Sequence, residues 1–201
     1  MAEEGAMSFT NAVRTCFEKY FTFSGRASRA ELWWFVLFLF LASVLLTAIN
    51  VSIFGPTVTE NWQVAVNQQG EQTQSSFTRI SYDGGWLETI FSIATLLPLV
   101  AVSVRRLHDT EKSGWRILIP VISFSLPFIV WFGFGTEVPV DPEYIADGLL
   151  PQTVVVPSSN GIFVFTILAV FAAHIAMIIW LTRPSQPGPN KYGPNPHEVT
   201  Q

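Results

Sequence analysis

Apolar residues fill four long stretches of this chain, at 32–54, 87–104, 115–134 and 162–182, and polar residues fill the segments between them. No Asp, Glu, Lys or Arg lies between Glu31 and Glu60, between Glu88 and Arg105, between Arg116 and Glu137, or between Asp147 and Arg183. A hydrocarbon core ~30 Å thick is crossed by ~20 helical residues. Inside lipid each backbone N–H and C=O must be bonded within its own segment, so each stretch is expected to be a helix. The pattern predicts an all-α membrane protein with four transmembrane helices.

A different pattern precedes the first stretch. Phe9, Val13, Phe17 and Tyr20 recur at helical spacing, with Arg14, Glu18 and Lys19 elsewhere on the wheel. This predicts a short N-terminal amphipathic helix, which either lies in the membrane interface or packs on the ends of the spans. Ser24-Gly25 ends it. Ser28-x-x-Glu31 then reads as a capping box at the start of the first span.

The polar segments are of two kinds. The loop at 55–85 is rich in Gln, Asn, Ser and Thr. Trp62, Val64 and Val66 alternate with polar residues, as do Ile80 and Tyr82 after a turn candidate at Gln68-Gln69-Gly70-Glu71. That alternation fits a small extracytoplasmic β-hairpin, with a disordered loop as the competing reading. The loop at 135–161 carries Pro139, Pro142, Pro151 and Pro157, with Thr153 to Val156 able to add a strand to a fold of both loops over the outer face. Within the spans, Pro98, Pro120 and Pro127 each remove a backbone donor. Ala169, Ala172, Ala173 and Ala176 form a small-residue stripe suited to close packing.

Charge assigns sides. Arg14, Lys19, Arg26 and Arg29 precede the first span, Arg105, Arg106, Lys112 and Arg116 follow the second, and Arg183 and Lys191 follow the fourth. Only Arg79, of the 11 basic residues, lies in the other loops. The positive-inside rule places both termini and the middle loop in the cytoplasm. Trp33, Trp34, Trp86, Trp115, Trp131 and Trp180 fall near span ends, where an amphipathic ring sits at headgroup level. The net charge of −4 says little about partners, because Glu60, Glu71, Asp83, Glu137, Asp141, Glu143 and Asp147 are all assigned outside.

The expected organisation is a single membrane domain over 1–201. It has an interfacial segment at 1–27, spans at 28–54, 86–107, 115–134 and 162–182, external loops at 55–85 and 135–161, a cytoplasmic loop at 108–114 and a tail at 183–201. The first span is too long for a cleaved leader and is expected to serve as an uncleaved insertion signal. The lone Cys16 forms no internal disulfide.

Three polar motifs share the predicted cytoplasmic side. The first runs Phe23-Ser24-Gly25-Arg26-Ala27-Ser28-Arg29-Ala30-Glu31-Leu32-Trp33-Trp34. The second runs Arg105-Arg106-Leu107-His108-Asp109-Thr110-Glu111-Lys112-Ser113-Gly114-Trp115. The third runs Pro187-Gly188-Pro189-Asn190-Lys191-Tyr192-Gly193-Pro194-Asn195-Pro196. In these residues the chain resembles the bacterial inner-membrane family called domain of unknown function 805. The likeness covers Phe23 to Pro196 apart from the two external loops. It implies a small multi-helix membrane protein without an established biochemical activity. The chain departs from the family pattern at Glu111, where a glycine is expected, and at Arg116, where an aromatic is expected after Trp115.

The motifs nominate a ligand-binding layer of Arg26, Arg29, Glu31, Arg105, Arg106, His108, Asp109, Lys112, Trp115, Asn190 and Tyr192. The basic residues among them form a collar suited to an anionic headgroup or a phosphorylated ligand. An Asp109–Arg105 bridge, from i, i+4 spacing, or a cap by Asp109 is expected. Adjacent helical residues point ~100° apart, which argues against a direct His108–Asp109 pair. Tyr192 is suited to docking the tail on Trp33 or Trp115.

Among the histidines, His108, His174 and His197, there is no HxxxH, and with one cysteine there is no CxxC, so no metal site is expected. No Walker loop, GxGxxG or GxSxG occurs, so no cofactor and no catalytic residue is assigned. Nucleic-acid binding lacks a module. His174 is the ionisable residue deep in a span. The leading functional reading is a non-enzymatic inner-membrane protein whose cytoplasmic polar layer binds a lipid headgroup, a small anion or a protein partner. The partners expected are membrane lipids and a homo-oligomer or another membrane protein. The alternatives are an oligomeric transporter or channel component, or a membrane-embedded enzyme using His108.

Overall fold

The computed structural model describes residues 7–66, 72–82, 84–139, 153–157, 160–196 and 198. They fall into two compact units. One is drawn from Met1–Phe54, Gly84–Val121 and Ala172–Gln201, the other from Gly55–Asp83 and Ile122–Phe171.

The first unit holds α1 (Phe9–Glu18), α2 (Arg29–Phe54), α3 (Gly85–Asp109), the start of α4 (Leu118–Gly133) and the C-terminal half of α5 (Asn160–Thr182). A 3-10 turn, Gly114–Ile117, leads into α4. Four helices are long and apolar enough to cross a membrane. Most of their large apolar side chains face outward, from Phe40 and Leu45 on α2 to Phe165 and Phe171 on α5. In water that surface would be prohibitive; in lipid it is the solvent-facing side.

The buried core is small and sits at one end. Cys16, Ala27, Leu32, Phe35 and Val102 form it, with Val13, Phe38, Leu99 and Leu181 packed against it. α1 packs on α2 and α3. Ser8 caps it, with its Oγ accepting from the Asn11 N–H. Phe9 meets Trp34 edge-on, and Phe17 meets both Phe35 and Phe38. The Tyr20 hydroxyl donates to the Ala94 carbonyl. Farther along the same helices, the Ser43 and Thr47 hydroxyls donate to the Glu88 carboxylate, which sits in the first turn of α3.

The alanine stripe is only partly inward. Ala169, Ala173 and Ala176 are half-buried and Ala172 is exposed, while Thr166 and Met177 are the buried residues of α5. His174 lies on the exposed side of that helix. Pro98 and Pro127 are inside α3 and α4. Pro120 falls in the first turn of α4, where its missing N–H would have no intrahelical partner anyway.

The second unit contains two hairpins. β1 (Thr57–Val66) pairs antiparallel with β2 (Gln72–Ser81), from Thr57 opposite Ser81 to Val66 opposite Gln72. The turn candidate at Gln68 to Glu71 lies outside the described residues. β3 (Gly135–Pro139) pairs with β4 (Thr153–Pro157). The expected strand at Thr153 to Val156 therefore forms, but it pairs with β3 of its own loop in a separate sheet and not with the first hairpin. Closing a shorter loop costs less chain entropy than pairing across a span. Between α4 and α5 of this unit, Phe124, Phe128, Trp131, Phe163 and Phe171 line an apolar groove of about 520 Å³.

Candidate functional site

The three polar motifs meet at the arginine-bearing end of the first unit. The centre is Asp109, fully buried in the last position of α3. Arg26 Nε lies 2.8 Å from Asp109 Oδ1, and Arg106 Nη1 bonds Oδ2. Both guanidinium groups are themselves buried.

Each then spends its remaining donors on backbone carbonyls. Arg26 Nη1 donates to the Gly188 carbonyl at 2.7 Å and the Gly193 carbonyl at 3.4 Å, and its Nη2 to Gln186 at 2.6 Å. Arg106 donates to the carbonyls of Leu181, Ala27 and Arg183, and to Ser185 Oγ. A planar fork with five donors suits this task, which a lysine with three could not fill.

The backbone adds its own stitches. The Ala27 N–H donates to the Arg105 carbonyl and the Gln186 N–H to the Asp109 carbonyl. Asn190 Nδ2 donates to the His108 carbonyl at 3.0 Å. The Tyr192 ring stacks on His108, centroids 3.8 Å apart and planes 4° from parallel. His108 Nδ1 lies 3.2 Å from the Gly25 carbonyl. Gly25 has φ +85, a left-handed conformation that a side chain would resist, and this turns its carbonyl toward the imidazole. His108 and Asp109 thus face different partners and form no acid–base pair.

Arg105, the neighbour of Arg106, has different surroundings. Its guanidinium is buried, and Nη1 lies 2.7 Å from Glu31 Oε1. Yet none of its three nitrogens has a hydrogen-bond partner among the described residues, and neither has Glu31 Oε1. The pair is held at short range by opposite charge. It lines a polar cavity of about 1030 Å³, at the upper end of ligand-site sizes. α1 supplies Asn11, Thr15 and Lys19 to its wall, the segment before α2 supplies Ser24, Arg26 and Ser28, and the tail supplies Tyr192, Pro194 and Asn195.

Several expectations are corrected here. Asp109 bridges Arg106 and Arg26, not Arg105, because successive side chains on α3 diverge by ~100° and reach different elements. The capping box is half formed. The Glu31 N–H does donate to Ser28 Oγ at 3.1 Å, but the Glu31 side chain turns to Arg105, since a buried cation outbids a neutral backbone donor. Tyr192 docks on His108 and not on Trp33 or Trp115; Trp115 is 79 % exposed. Arg29 is exposed and outside the cavity wall. Lys112 stands apart as well. Burial, and behind it the Arg183 and Arg116 charges, holds its ammonium below the usual range.

The α1 wall was missed. Asn11, Thr15 and Lys19 stand four residues apart, so a polar stripe on one helical face was the available signal. Cys16 lies beside them with its thiol donating to the Glu31 carbonyl at 3.9 Å. Burial pushes that thiol up to about 12, with the Glu31 carboxylate adding to the effect, so it is not a thiolate nucleophile at neutral pH. Among the described residues no group of His, Cys, Asp and Glu is placed to hold a metal ion.

Fold and site together define a four-span membrane protein with three polar motifs gathered at one end of its first unit. The profile of the family described as "Protein of unknown function (DUF805)" matches residues 20–194, and the chain belongs to that family. It is similar to inner membrane protein YhaH of Escherichia coli K12, 32% identical over 114 residues, which are 57% of this chain and 72% of YhaH. It is also similar to inner membrane protein YhaI of the same strain, 30% identical over 115 residues, 57% of this chain and 70% of YhaI. No solved structure matches it. The protein is an integral inner-membrane protein.

Proposed function

We propose that this protein is a non-enzymatic binding module whose cavity, on the cytoplasmic face, takes an anionic group such as a phosphate. The observation that carries the reading is Arg105: a buried guanidinium with Glu31 beside its Nη1 but no hydrogen-bond partner for its Nε and Nη2 among the described residues, on the wall of a large polar cavity. Leaving such donors unmet costs ~1–3 kcal/mol or more for a charged group, so an acceptor entering from the cavity would be strongly held. Charge supports the same reading. Three buried guanidinium groups, Arg26, Arg105 and Arg106, accompany two buried carboxylates, Glu31 and Asp109, so this layer carries one cation in excess among the described residues. Lys19 at the cavity wall adds another. The cytoplasmic assignment rests on the positive-inside rule.

Native mass spectrometry of the detergent-extracted protein tests the reading. The native protein is expected to retain an anionic molecule that Arg105→Gln releases. Identical spectra for the two proteins, with or without bound mass, would count against the site. A reporter fused after Gln201 is expected to be active only in its cytoplasmic form.

A further inference from the structure

We infer that the cavity recognises a zwitterionic aminoalkyl phosphate, a phosphate and a primary ammonium a few bonds apart, with Arg105 and Lys19 on the phosphate and Glu31 on the ammonium. This deepens the anion-binding reading and rests on it. A simple anion reaching Arg105 would meet the Glu31 carboxylate 2.7 Å from Arg105 Nη1, and the two would repel. A ligand that carries its own cation removes that conflict. It also supplies the N–H donors that buried Glu31 Oε1 lacks among the described residues. The local charges agree: of the three wall cations, Arg26 is already paired with Asp109, which leaves Lys19 and Arg105 for a phosphate and Glu31 for an ammonium.

The amine should be primary. A quaternary ammonium is usually held by a box of aromatic faces. Here Tyr192 is the aromatic ring on the cavity wall, and one of its faces is already stacked on His108. A carboxylate, by contrast, rewards N–H donors directly, through charge-assisted hydrogen bonds. The same headgroup chemistry occurs in a soluble phosphoamine and in a phosphatidylethanolamine. Phe9, Phe17 and Phe21 are exposed on and just after α1, the helix that also walls the cavity, and this apolar surface suits the lipid form.

The test is a ligand series titrated calorimetrically into the purified protein in detergent at pH 7. Phosphoethanolamine is expected to bind about tenfold or more tighter than glycerol phosphate or phosphocholine, the preference that a charge-assisted pair at Glu31 implies. Glu31→Gln should erase the preference while keeping glycerol phosphate binding. Lys19→Gln, at an exposed wall position, should weaken all phosphate ligands alike. It serves as the second variant if Glu31→Gln fails to fold. Equal binding of phosphoethanolamine and glycerol phosphate by the native protein would sink the zwitterion and leave the anion site standing. Equal binding of phosphocholine would overturn the primary amine. Absence of binding by all three, and by short-chain phosphatidylethanolamine, would remove both readings. Tighter binding of short-chain phosphatidylethanolamine than of phosphoethanolamine assigns the headgroup to a lipid; the reverse order assigns it to a soluble molecule.

Discussion

Arg105 and Arg106 are consecutive residues on one helix, equally buried, each with a carboxylate in reach, and they are satisfied in opposite ways. Arg106 shares Asp109 with Arg26, and the two guanidinium groups hold carbonyls from the tail and from the segment before α2. Arg105 has one ion pair, with Glu31, and otherwise a cavity. Evolution can bury a charge to fasten chain segments together or to leave donors for something else. Hydrogen-bond saturation tells the two uses apart where burial and distance do not. The Asp109 cluster is the fastening, and the Arg105–Glu31 pair is the surface proposed to receive a ligand.

The largest expected effect comes from breaking the fastening. Asp109→Ala strands two buried guanidinium groups, and removing one partner of a buried pair costs ~3–5 kcal/mol. Folded yield after detergent extraction, followed by size-exclusion chromatography, should fall sharply. His108→Ala removes one stacked ring and one hydrogen bond, and should cost only ~1–2 kcal/mol. If His108→Ala were the more damaging of the two, the centre of this layer would lie at His108 and the comparison would fail.

Removing both members of the receptive pair should have the contrary outcome. Arg105→Gln alone leaves Glu31 buried without its cation and should destabilise. The double variant Glu31→Gln/Arg105→Gln removes both charges at once. Replacing a buried ion pair by neutral groups is often neutral or mildly stabilising, so thermal stability should stay within ~1 kcal/mol of the native protein. Phosphate-ligand binding should nevertheless be lost. A double variant that binds as well as the native protein would mean that Arg105 is structural like Arg106.

How much of this was legible in the sequence follows from how local each contact is. The spans were readable, because lipid imposes a length and an absence of charge on each one independently. The gathering of the motifs at one end was readable for a similar reason: all three occur at span ends of one parity. Which arginine takes which carboxylate was not. Arg26 and Asp109 are 83 residues apart, and Arg26 and the Gly193 carbonyl are 167 apart. The local rule, i to i+4, suggested Arg105 for Asp109; the i, i+3 partner Arg106 won because it also reaches α5 and the tail. The α1 wall was missed because its apolar face, Phe9 to Tyr20, drew attention from the polar stripe behind it. β3 was missed because its Gly135-Thr-Glu-Val-Pro139 sequence is short and ends in proline.

A smaller effect is expected at the tail, which the fastening holds in place as a wall of the receptive cavity. Asn190 and Gly193 bond each other's backbone, and the Tyr192 N–H donates to Asn190 Oδ1, so the ring is presented on a closed turn. Tyr192→Ala should cost ~1 kcal/mol, the scale of one aromatic stack, and should show as faster proteolysis after Thr182 with the spans intact. Acid should loosen the same segment. The Gly188 N–H, with the Asn195 amide behind it, holds the Glu198 carboxyl below its ordinary range. A depressed carboxyl contributes stability above its unfolded value and loses it as the pH falls through the folded value. Tail protection should therefore be flat from pH 7 to 5 and decline below ~4.3, the ordinary glutamate value. A decline that begins well above that value would show that a group other than Glu198 controls the tail.

The smallest expected effect is a gain, at the turn that fixes where α3 ends and so where both arginines stand. The Lys112 N–H donates to the Leu107 carbonyl and the Glu111 N–H to the His108 carbonyl, the two bonds of a Schellman motif. That motif needs its Glu111 position in the left-handed region, and φ there is 57. Glycine is the residue that adopts this conformation without a Cβ penalty. A non-glycine residue held there costs ~1–2 kcal/mol, while glycine gives back part of that through the greater entropy of its unfolded chain. Glu111→Gly should therefore stabilise by ~0.5–1 kcal/mol, a difference of a few degrees in thermal midpoint. The Glu111 side chain is exposed, so phosphate binding should not change. A loss of binding with the gain in stability would show that the glutamate acts on the cavity through the turn, and the division between fastening and receptive residues would then have to include it.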